Sequence, residues 1–223
     1  MNEPTRLITA QCMVKNEVYW IGPVLSSLLA CFETVLVADC GSRDGTLDIL
    51  RNLQRPGMVL LEKGELTPEA NGRVREELRQ LTRTPWSFVC DGDEYYPVEN
   101  LTQIVNYEIP QGKSTGFTLL WNVVQVYDGR VMLLTRGSRC ALYPTAENHW
   151  TGGYPADRPI PAADHADKFF YFPTSRPGYH LRFVPRSPLD VETYLRDRHD
   201  WSFPELLDSP WTNPILELLR SRR

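Results

Sequence analysis

No stretch of the sequence approaches the ~20 consecutive apolar residues that a membrane-spanning helix needs. The first four residues, Met-Asn-Glu-Pro, also lack the basic and apolar regions of a signal peptide. We therefore expect a soluble, cytoplasmic protein without a transmembrane segment. Peripheral contact with the inner face of a membrane is compatible with this expectation.

Cysteine is scarce, with five residues among 223, and no two of them form a Cys-x-x-Cys pair. Their odd number and scattered spacing argue against a disulfide framework and favour a reducing compartment. Basic residues are not in excess either, since 24 Lys and Arg stand against 28 Asp and Glu, a net charge of −4. The chain therefore lacks the global positive field that draws proteins to nucleic acids. Its 42% of hydrophobic residues suffices for one sizeable core.

Short apolar runs alternate with segments of helical periodicity over about the first 95 residues. The runs predict strands at 7–14, 34–38, 58–62 and 86–90, and the periodic segments predict helices at 18–29, 47–53 and 69–81. Such alternation is typical of a parallel, doubly wound α/β sheet. Ligands of these sheets bind beyond the carboxyl ends of the strands. Polar clusters follow three of the predicted strands, at residues 15–17, 39–44 and 91–94.

The cluster after the fourth strand contains Asp91-Gly92-Asp93. Two carboxylates one residue apart can reach one hard cation, and Mg²⁺ or Mn²⁺ keeps open positions for phosphate oxygens. Gly92 lets the backbone approach a ligand closely. By itself the tripeptide is weak evidence, because on the order of one Asp-x-Asp is expected by chance in this chain. Its position at a strand end, with a second acidic turn at Asp39, strengthens the metal-site interpretation.

The second half has a different pattern. Two apolar runs, at 117–126 and 131–135, flank the turn Tyr-Asp-Gly-Arg and predict a β-hairpin. A further strand is predicted at 139–143, followed by a proline-rich stretch between 155 and 177. Helices are predicted at 189–198 and from residue 214 onward. No internal repeat is evident, so we expect one domain over residues 1–223.

Three motifs together resemble family 2 glycosyltransferases with the GT-A fold. They are Met-Val-Lys-Asn-Glu at 13–17, Val-Ala-Asp-Cys-Gly-Ser-Arg-Asp-Gly-Thr at 37–46, and Asp-Gly-Asp-Glu at 91–94. Asn71-Gly72 followed by Arg75 also resembles the segment before the Asp-x-Asp strand of that family. The resemblance implies a Rossmann-like, mostly parallel sheet flanked by helices, with a smaller mixed or antiparallel sheet on the acceptor side. Residues of about 1–96 would bind the nucleotide sugar, and about 97–223 the acceptor.

The same resemblance implies an inverting transferase that uses a nucleotide sugar, commonly a UDP-sugar, with Mn²⁺ or Mg²⁺ as cofactor. Asp39 matches the residue that contacts the base or ribose, and Arg75 matches a basic residue of the nucleotide pocket. Asp93 matches the direct metal ligand, and Asp91 a ribose or water-mediated metal partner. Glu17 is either a further nucleotide-binding residue or only a charge at a helix start.

Two of these assignments have plain alternatives. Arg75 shares its helix with other charged residues, so a solvated face competes with the nucleotide-pocket role. For Asp44-Gly45-Thr46 a structural turn and helix cap is the favoured role.

Inverting transfer also needs a general base that deprotonates the acceptor hydroxyl. Asp157 is the preferred candidate and Glu147 the second, although a solvated loop carboxylate is an equal alternative for each. Trp150 and Tyr154 are candidates for stacking on an acceptor sugar or base.

The resemblance further implies a histidine after the acceptor region as a third metal ligand. His180 is the candidate, and His165, within Asp-His-Ala-Asp, is its rival. For His180 a packed or surface histidine is the more common alternative, and for His165 a flexible polar loop is the plainer one.

The acceptor itself is open. A hydroxyl of a bacterial glycan is the leading hypothesis, and hydroxylated bases in DNA, as modified by phage transferases in an infected host cytoplasm, are the minority one. The basic residues 220–223 suit the second hypothesis, while the acidic overall balance opposes it. A nucleotidyltransferase would show a glycine-rich basic loop near the first strand, which is absent at 11–15. A non-catalytic nucleotide-sugar-binding module is the alternative of another class.

Overall fold

The computed structural model describes residues 5–106, 117–127, 130–146, 148–152, 158–161, 170–171, 178–183, 187 and 189. The helices are α1 (Ile21–Cys31), α2 (Thr46–Asn52), α3 (Asn71–Leu81) and α4 (Val98–Val105), and a 3₁₀ turn, Pro68–Ala70, precedes α3. The strands are β1 (Thr5–Val14), β2 (Phe32–Asp39), β3 (Met58–Glu62), β4 (Trp86–Asp91), β5 (Glu94–Tyr95), β6 (Phe117–Tyr127), β7 (Arg130–Pro144), β8 (Asn148–Thr151), β9 (Arg158–Pro161), β10 (Phe170–Tyr171) and β11 (Gly178–Phe183).

Nine of these strands form one sheet in the order β3-β2-β1-β4-β7-β6-β11-β5, with β10 beside β6. β3, β2, β1 and β4 run parallel to one another. β7 continues the sheet antiparallel to β4, and β6 pairs antiparallel with β7. β8 and β9 form a separate antiparallel pair. The four neighbouring parallel strands therefore end at one edge, where ligands of such sheets bind.

The α/β class predicted with the GT-A resemblance is confirmed, with a mostly parallel central sheet, flanking helices and a smaller antiparallel sheet. The predicted hairpin is present, but the strands predicted at 131–135 and 139–143 are one continuous strand, β7. Neither α4 nor β5 was predicted. The helices predicted at 189–198 and from residue 214 fall outside the described residues, apart from Leu189. None of the described helices is long and apolar enough to cross a membrane.

Apolar side chains cover both faces of the parallel strands, because side chains alternate between the faces along each strand. One buried cluster fills the space between the sheet and helices α1 and α4; among its members are Ala10, Cys12, Leu25, Leu28, Val35, Leu101 and Ile104. A second cluster lies between the sheet and α3 and includes Met13, Leu36, Ala38, Val74 and Leu78. Val74 and Leu78 are four residues apart and therefore lie on the same, buried face of α3. The charged residues of α3 on other faces can then form ion pairs and hydrogen bonds.

Candidate functional site

The carboxyl ends of β2, β1 and β4 bring the acidic clusters together. Asp39 is the register partner of Val14 on one side of β1, and Asp91 is the partner of Met13 on the other. Because neighbouring strands lie about 4.8 Å apart, the two aspartates are separated by about 10 Å across the end of β1. The convergence predicted from the order of the strands is therefore present in the fold.

Asp39 is 2% exposed, and its Oδ2 accepts hydrogen bonds from the backbone N–H groups of Gly41 and Ser42, both at 3.2 Å. The chain turns sharply here: Gly41 has a φ of +84°, and a Cβ at this position would lie 2.6 Å from the backbone of Glu65. No described residue donates a hydrogen bond to Asp39 Oδ1, which is also buried. That oxygen is thus suited to accept a hydrogen bond from a ligand.

Asp44 has the structural role predicted for it. Its Oδ1 accepts from the backbone N–H of Thr46 at 3.0 Å and from the Thr46 hydroxyl at 2.6 Å, while its Oδ2 accepts from Val18 N–H at 3.2 Å. Burial raises the pKa of Asp44, but the hydrogen bonds from Thr46, Ser187 and Val18 outweigh burial and lower it overall. Through these hydrogen bonds, the Asp44 carboxylate holds the loop after β1 against the turn after β2.

Glu17 lies in that fastened loop and is 3% exposed. Its backbone N–H donates to Thr46 Oγ1 at 2.8 Å, and its carbonyl accepts from the N–H groups of Trp20 and Ile21 at the start of α1. Its side chain packs so near Gly92 that a Cβ on the glycine would lie 2.9 Å from Glu17 Cγ. The Glu17 backbone therefore caps the start of α1, and its side chain lies beside the turn after β4. Contact between Glu17 and a nucleotide stays a prediction.

Arg75 is 3% exposed, so the alternative of a solvated charged face is wrong for this residue. Its Nη1 donates to the carbonyl of Cys90 at 3.3 Å, and its Nη2 forms an ion pair with Asp91. The guanidinium lies 5.5 Å from the centre of the Trp150 ring. The helix thus directs Arg75 toward the end of β4, beside the predicted metal-binding turn.

The short strand β5 places an acid–histidine cluster beyond that turn. It pairs antiparallel with β11, with His180 opposite Glu94, and Asp93 immediately precedes the pair. One ligand atom from each of Asp93, Glu94 and His180 lies within 4.8 Å of the others, and His180 Nε2 is 3.5 Å from Asp93 Oδ2. Two carboxylates and an imidazole are a donor set that holds divalent cations.

The charge of this cluster affects the histidine. Burial lowers the pKa of His180, but the hydrogen bond with Asp93 and the charges of Asp93, Glu94 and Asp91 outweigh burial and raise it overall. Without a metal, the imidazole therefore holds its proton to higher pH than usual. A bound cation would take the place of that proton, since metal-bound histidine is neutral.

Glu94 is the residue that sequence reasoning missed as a possible ligand. It is 1% exposed, and its Oε2 also accepts from the backbone N–H of Asp91 at 3.2 Å. Asp91 does not belong to the group of potential ligands found among the described residues, because its carboxylate faces Arg75. Metal contact by Asp91 stays a prediction. The only sequence signal for Glu94 was its place directly after Asp-Gly-Asp.

The predicted acceptor residues divide into two groups. Trp150 is 9% exposed and packs edge-to-face against Tyr143, with 5.6 Å between ring centres, so little of its ring is open for stacking on an acceptor. Its role in acceptor binding stays a prediction. The remaining candidates for the acceptor side, and the rival histidine, lie outside the described residues: Glu147, Tyr154, Asp157 and His165.

Comparison with known proteins gives similarities of fold. No protein family matches the sequence, and no curated protein matches it either. A structure of S. aureus TarS residues 1–349 in complex with UDP is 18% identical, with 62% of this chain and 47% of that chain covered and a TM-score of 0.42. A second structure of S. aureus TarS 1–349 is 15% identical, with 77% of this chain and 59% of that chain covered and a TM-score of 0.47.

A structure of 4-diphosphocytidyl-2C-methyl-D-erythritol synthase is 12% identical, with 65% of this chain and 77% of that chain covered and a TM-score of 0.42. The chain spans about half the length of the TarS chains that it matches. At these identities the likeness concerns the course of the chain and not the ligand. This chain is an α/β protein with a mostly parallel central sheet whose carboxyl edge carries a buried aspartate, a buried arginine and an acid–histidine cluster.

Proposed function

We propose that the protein is a metal-dependent inverting glycosyltransferase that moves a sugar from a nucleotide sugar, with UDP as the nucleotide, to a hydroxyl acceptor. The observation that carries this proposal is the convergence of Asp93, Glu94 and His180, with ligand atoms within 4.8 Å of one another, at the sheet edge that also holds buried Asp39. A nucleotide diphosphate needs both features, because its base or ribose requires a polar pocket and its diphosphate requires positive charge.

Asp39 suits the nucleoside part of the donor. An ionised carboxylate only accepts hydrogen bonds, and Asp39 Oδ1 accepts none from the described residues. The N3–H of uracil or a ribose hydroxyl would supply the donor, whereas N3 of cytosine is an acceptor and would face a second acceptor. Contact with N3 of the base would favour UDP over CDP, whereas contact with the ribose would not distinguish the two nucleotides.

The acid–histidine cluster suits the diphosphate part. Asp93, Glu94 and His180 would hold the cation. Mn²⁺ fits this donor set better than Mg²⁺, because Mg²⁺ prefers oxygen ligands alone. When bound, the ion would neutralise the negative charge that develops on the departing UDP. Arg75 would hold Asp91 in place beside it, since the buried guanidinium forms an ion pair with this partly exposed carboxylate.

Acceptor activation completes the proposal. Asp157, or alternatively Glu147, would take the proton of the acceptor hydroxyl as it attacks the anomeric carbon. Tyr154 would stack on the acceptor, which we propose to be a bacterial glycan, with hydroxylated DNA bases as the alternative. In Asp157→Asn and Glu147→Gln, the true base should lose turnover while UDP affinity is kept. Equal turnover in both variants and the wild type would exclude both residues.

UDP release tests the enzyme class directly. The protein would be incubated with UDP-glucose, UDP-galactose or UDP-N-acetylglucosamine in the presence and absence of Mn²⁺, without an acceptor. We expect slow, Mn²⁺-dependent hydrolysis of one donor, and its loss in Asp93→Asn. Asp48→Asn is the matched control, because this α2 carboxylate is 78% exposed and pairs with Arg51 of its own helix. Nucleotide binding without hydrolysis or transfer would favour a non-catalytic module.

A further inference from the structure

Strand β8 lies along helix α3, and hydrogen bonds join the two at helix residues before and after Arg75. Glu76 Oε2 accepts from the backbone N–H of Trp150 at 3.0 Å, and Gly152 O accepts from Gly72 N–H at 3.1 Å. The approach at Gly72 leaves no room for a side chain, since a Cβ there would lie 2.2 Å from Gly152 O. The backbone on each side of the Trp150 ring is therefore fixed relative to the helix.

The ring itself is held between two neighbours. One is Tyr143, whose ring meets it edge-to-face at an angle of 72°. The other is the guanidinium of Arg75, 5.5 Å from the ring centre, a distance at which an aromatic face attracts a cation. Because both groups are buried, water screens this attraction little.

The opposite end of this contact is the candidate nucleotide site. Arg75 donates to Cys90 O and pairs with Asp91, so its guanidinium links the ring of Trp150 to the last residues of β4. An arginine side chain has many rotamers, and packing on an aromatic face restricts that freedom before a ligand arrives. An Arg75 guanidinium fixed in this way presents Asp91 and the turn after β4 in one arrangement.

We propose that Trp150 is a positioning residue of the nucleotide site, which holds the Arg75 guanidinium against Asp91 and the end of β4. This assignment rests on the proposed function and places Trp150 on the donor side, not among residues that stack on the acceptor. Glu76 acts with it, because it anchors the backbone of Trp150 to α3.

Calorimetric titration with UDP in the presence of Mn²⁺ tests this assignment. Loss of the aromatic face in Trp150→Leu should raise the Kd for UDP about tenfold, and Trp150→Phe, which keeps a face, should stay within about threefold of wild type. Phe32→Leu is the matched control. Phe32 is 1% exposed and stacks on Phe88 at the amino end of β2, about 23 Å along the strand from Asp39. It should lower the melting temperature without changing the Kd.

The outcomes separate the assignment from the proposed function. If the wild type binds UDP and Trp150→Leu binds it equally well, the positioning role is overturned and the function is not. If the wild type binds no UDP with Mn²⁺, both fail. If Trp150→Leu does not fold, Glu76→Gln provides the test, because it keeps the Trp150 ring but weakens the hydrogen bond to its backbone. A Kd for UDP raised about threefold supports the positioning role of Trp150, and an unchanged Kd overturns it.

Discussion

Replacing Gly92 by alanine should displace the turn that carries Asp93, because side chains from β1 and the loop after it crowd this position. Gly92 lies between the two aspartates after β4, and its N–H donates to Met13 O at 2.9 Å. An added Cβ would lie 2.8 Å from Val14 Cγ2 and 2.9 Å from Glu17 Cγ. Val14 is β-branched and buried on β1, so it cannot turn away, and the turn carrying Asp93 must move instead. Overpacking of this kind costs about 1–3 kcal/mol.

Urea denaturation and UDP titration with Mn²⁺ measure the two consequences of Gly92→Ala. We expect an unfolding free energy lower by about 1–3 kcal/mol and UDP affinity reduced at least about tenfold. Gly22→Ala is the control, because among the described residues a Cβ on this α1 residue meets only Ile49 Cγ2, at 4.0 Å. It should be neutral or stabilise the helix by up to about 1 kcal/mol. Equal stability and UDP affinity in the two variants would refute the reasoning.

Three further substitutions test the contacts that hold the site together. Burial raises the pKa of Glu76, but hydrogen bonds outweigh burial and lower it to about 2; their donors are Arg79, Trp150 N–H, Gln80 and His149. The stabilising contribution of the Glu76 carboxylate is therefore present above about pH 4.5 and is lost as the pH falls through 2. Glu76→Gln should therefore remove at most about 3 kcal/mol at pH 7 and flatten the acid limb of the stability curve; an unchanged acid limb would contradict this. Asp44→Asn should lower the unfolding free energy by about 1–3 kcal/mol, whereas Asp48→Asn, at an exposed carboxylate, should change it by less than about 0.5 kcal/mol. Equal values would disprove that the Asp44 carboxylate holds the loop after β1 to the turn after β2. Gly72→Ala should detach β8 and accelerate hydrogen exchange of its amides, and wild-type protection there would argue against that contact.

The first half of the fold was predictable because its signals are local. Buried parallel strands read as continuous apolar runs, and amphipathic helices show their period within a few turns. The parallel order then places Asp39 and Asp91 at one edge without any knowledge of side-chain contacts. The glycine between the aspartates could be noticed, but the crowding by Val14 that requires it is a contact across strands.

What the sequence did not reveal depends on pairing between distant segments. β5 has two residues, too few for a periodic signal, and its partner β11 begins more than 80 residues later. Glu94 was therefore part of a motif without a role of its own until the structure placed His180 opposite it. For Arg75 the sequence left a nucleotide-pocket role and a solvated helix face as alternatives, and only its position toward the end of β4 shows that it is buried.

Trp150 illustrates the same limit for aromatic residues. A tryptophan in a polar, glycine-containing loop suggests an exposed stacking surface. Its burial follows from two anchors on α3, Glu76 and Gly72, whose partners lie more than 70 residues away in the chain. Such contacts depend on the docking of one element on another, and no local pattern encodes them.

Dependence of UDP binding on Mn²⁺ is the most direct test of the central claim. Calorimetric titration of UDP into the metal-free protein, and again with Mn²⁺ present, would be carried out on the wild type and on Asp93→Asn. We predict clear binding only for the wild type with Mn²⁺, because Asp93, Glu94 and His180 are proposed to hold together the ion that would contact the diphosphate. Equal UDP affinity with and without Mn²⁺, or undiminished binding in Asp93→Asn, would contradict the account.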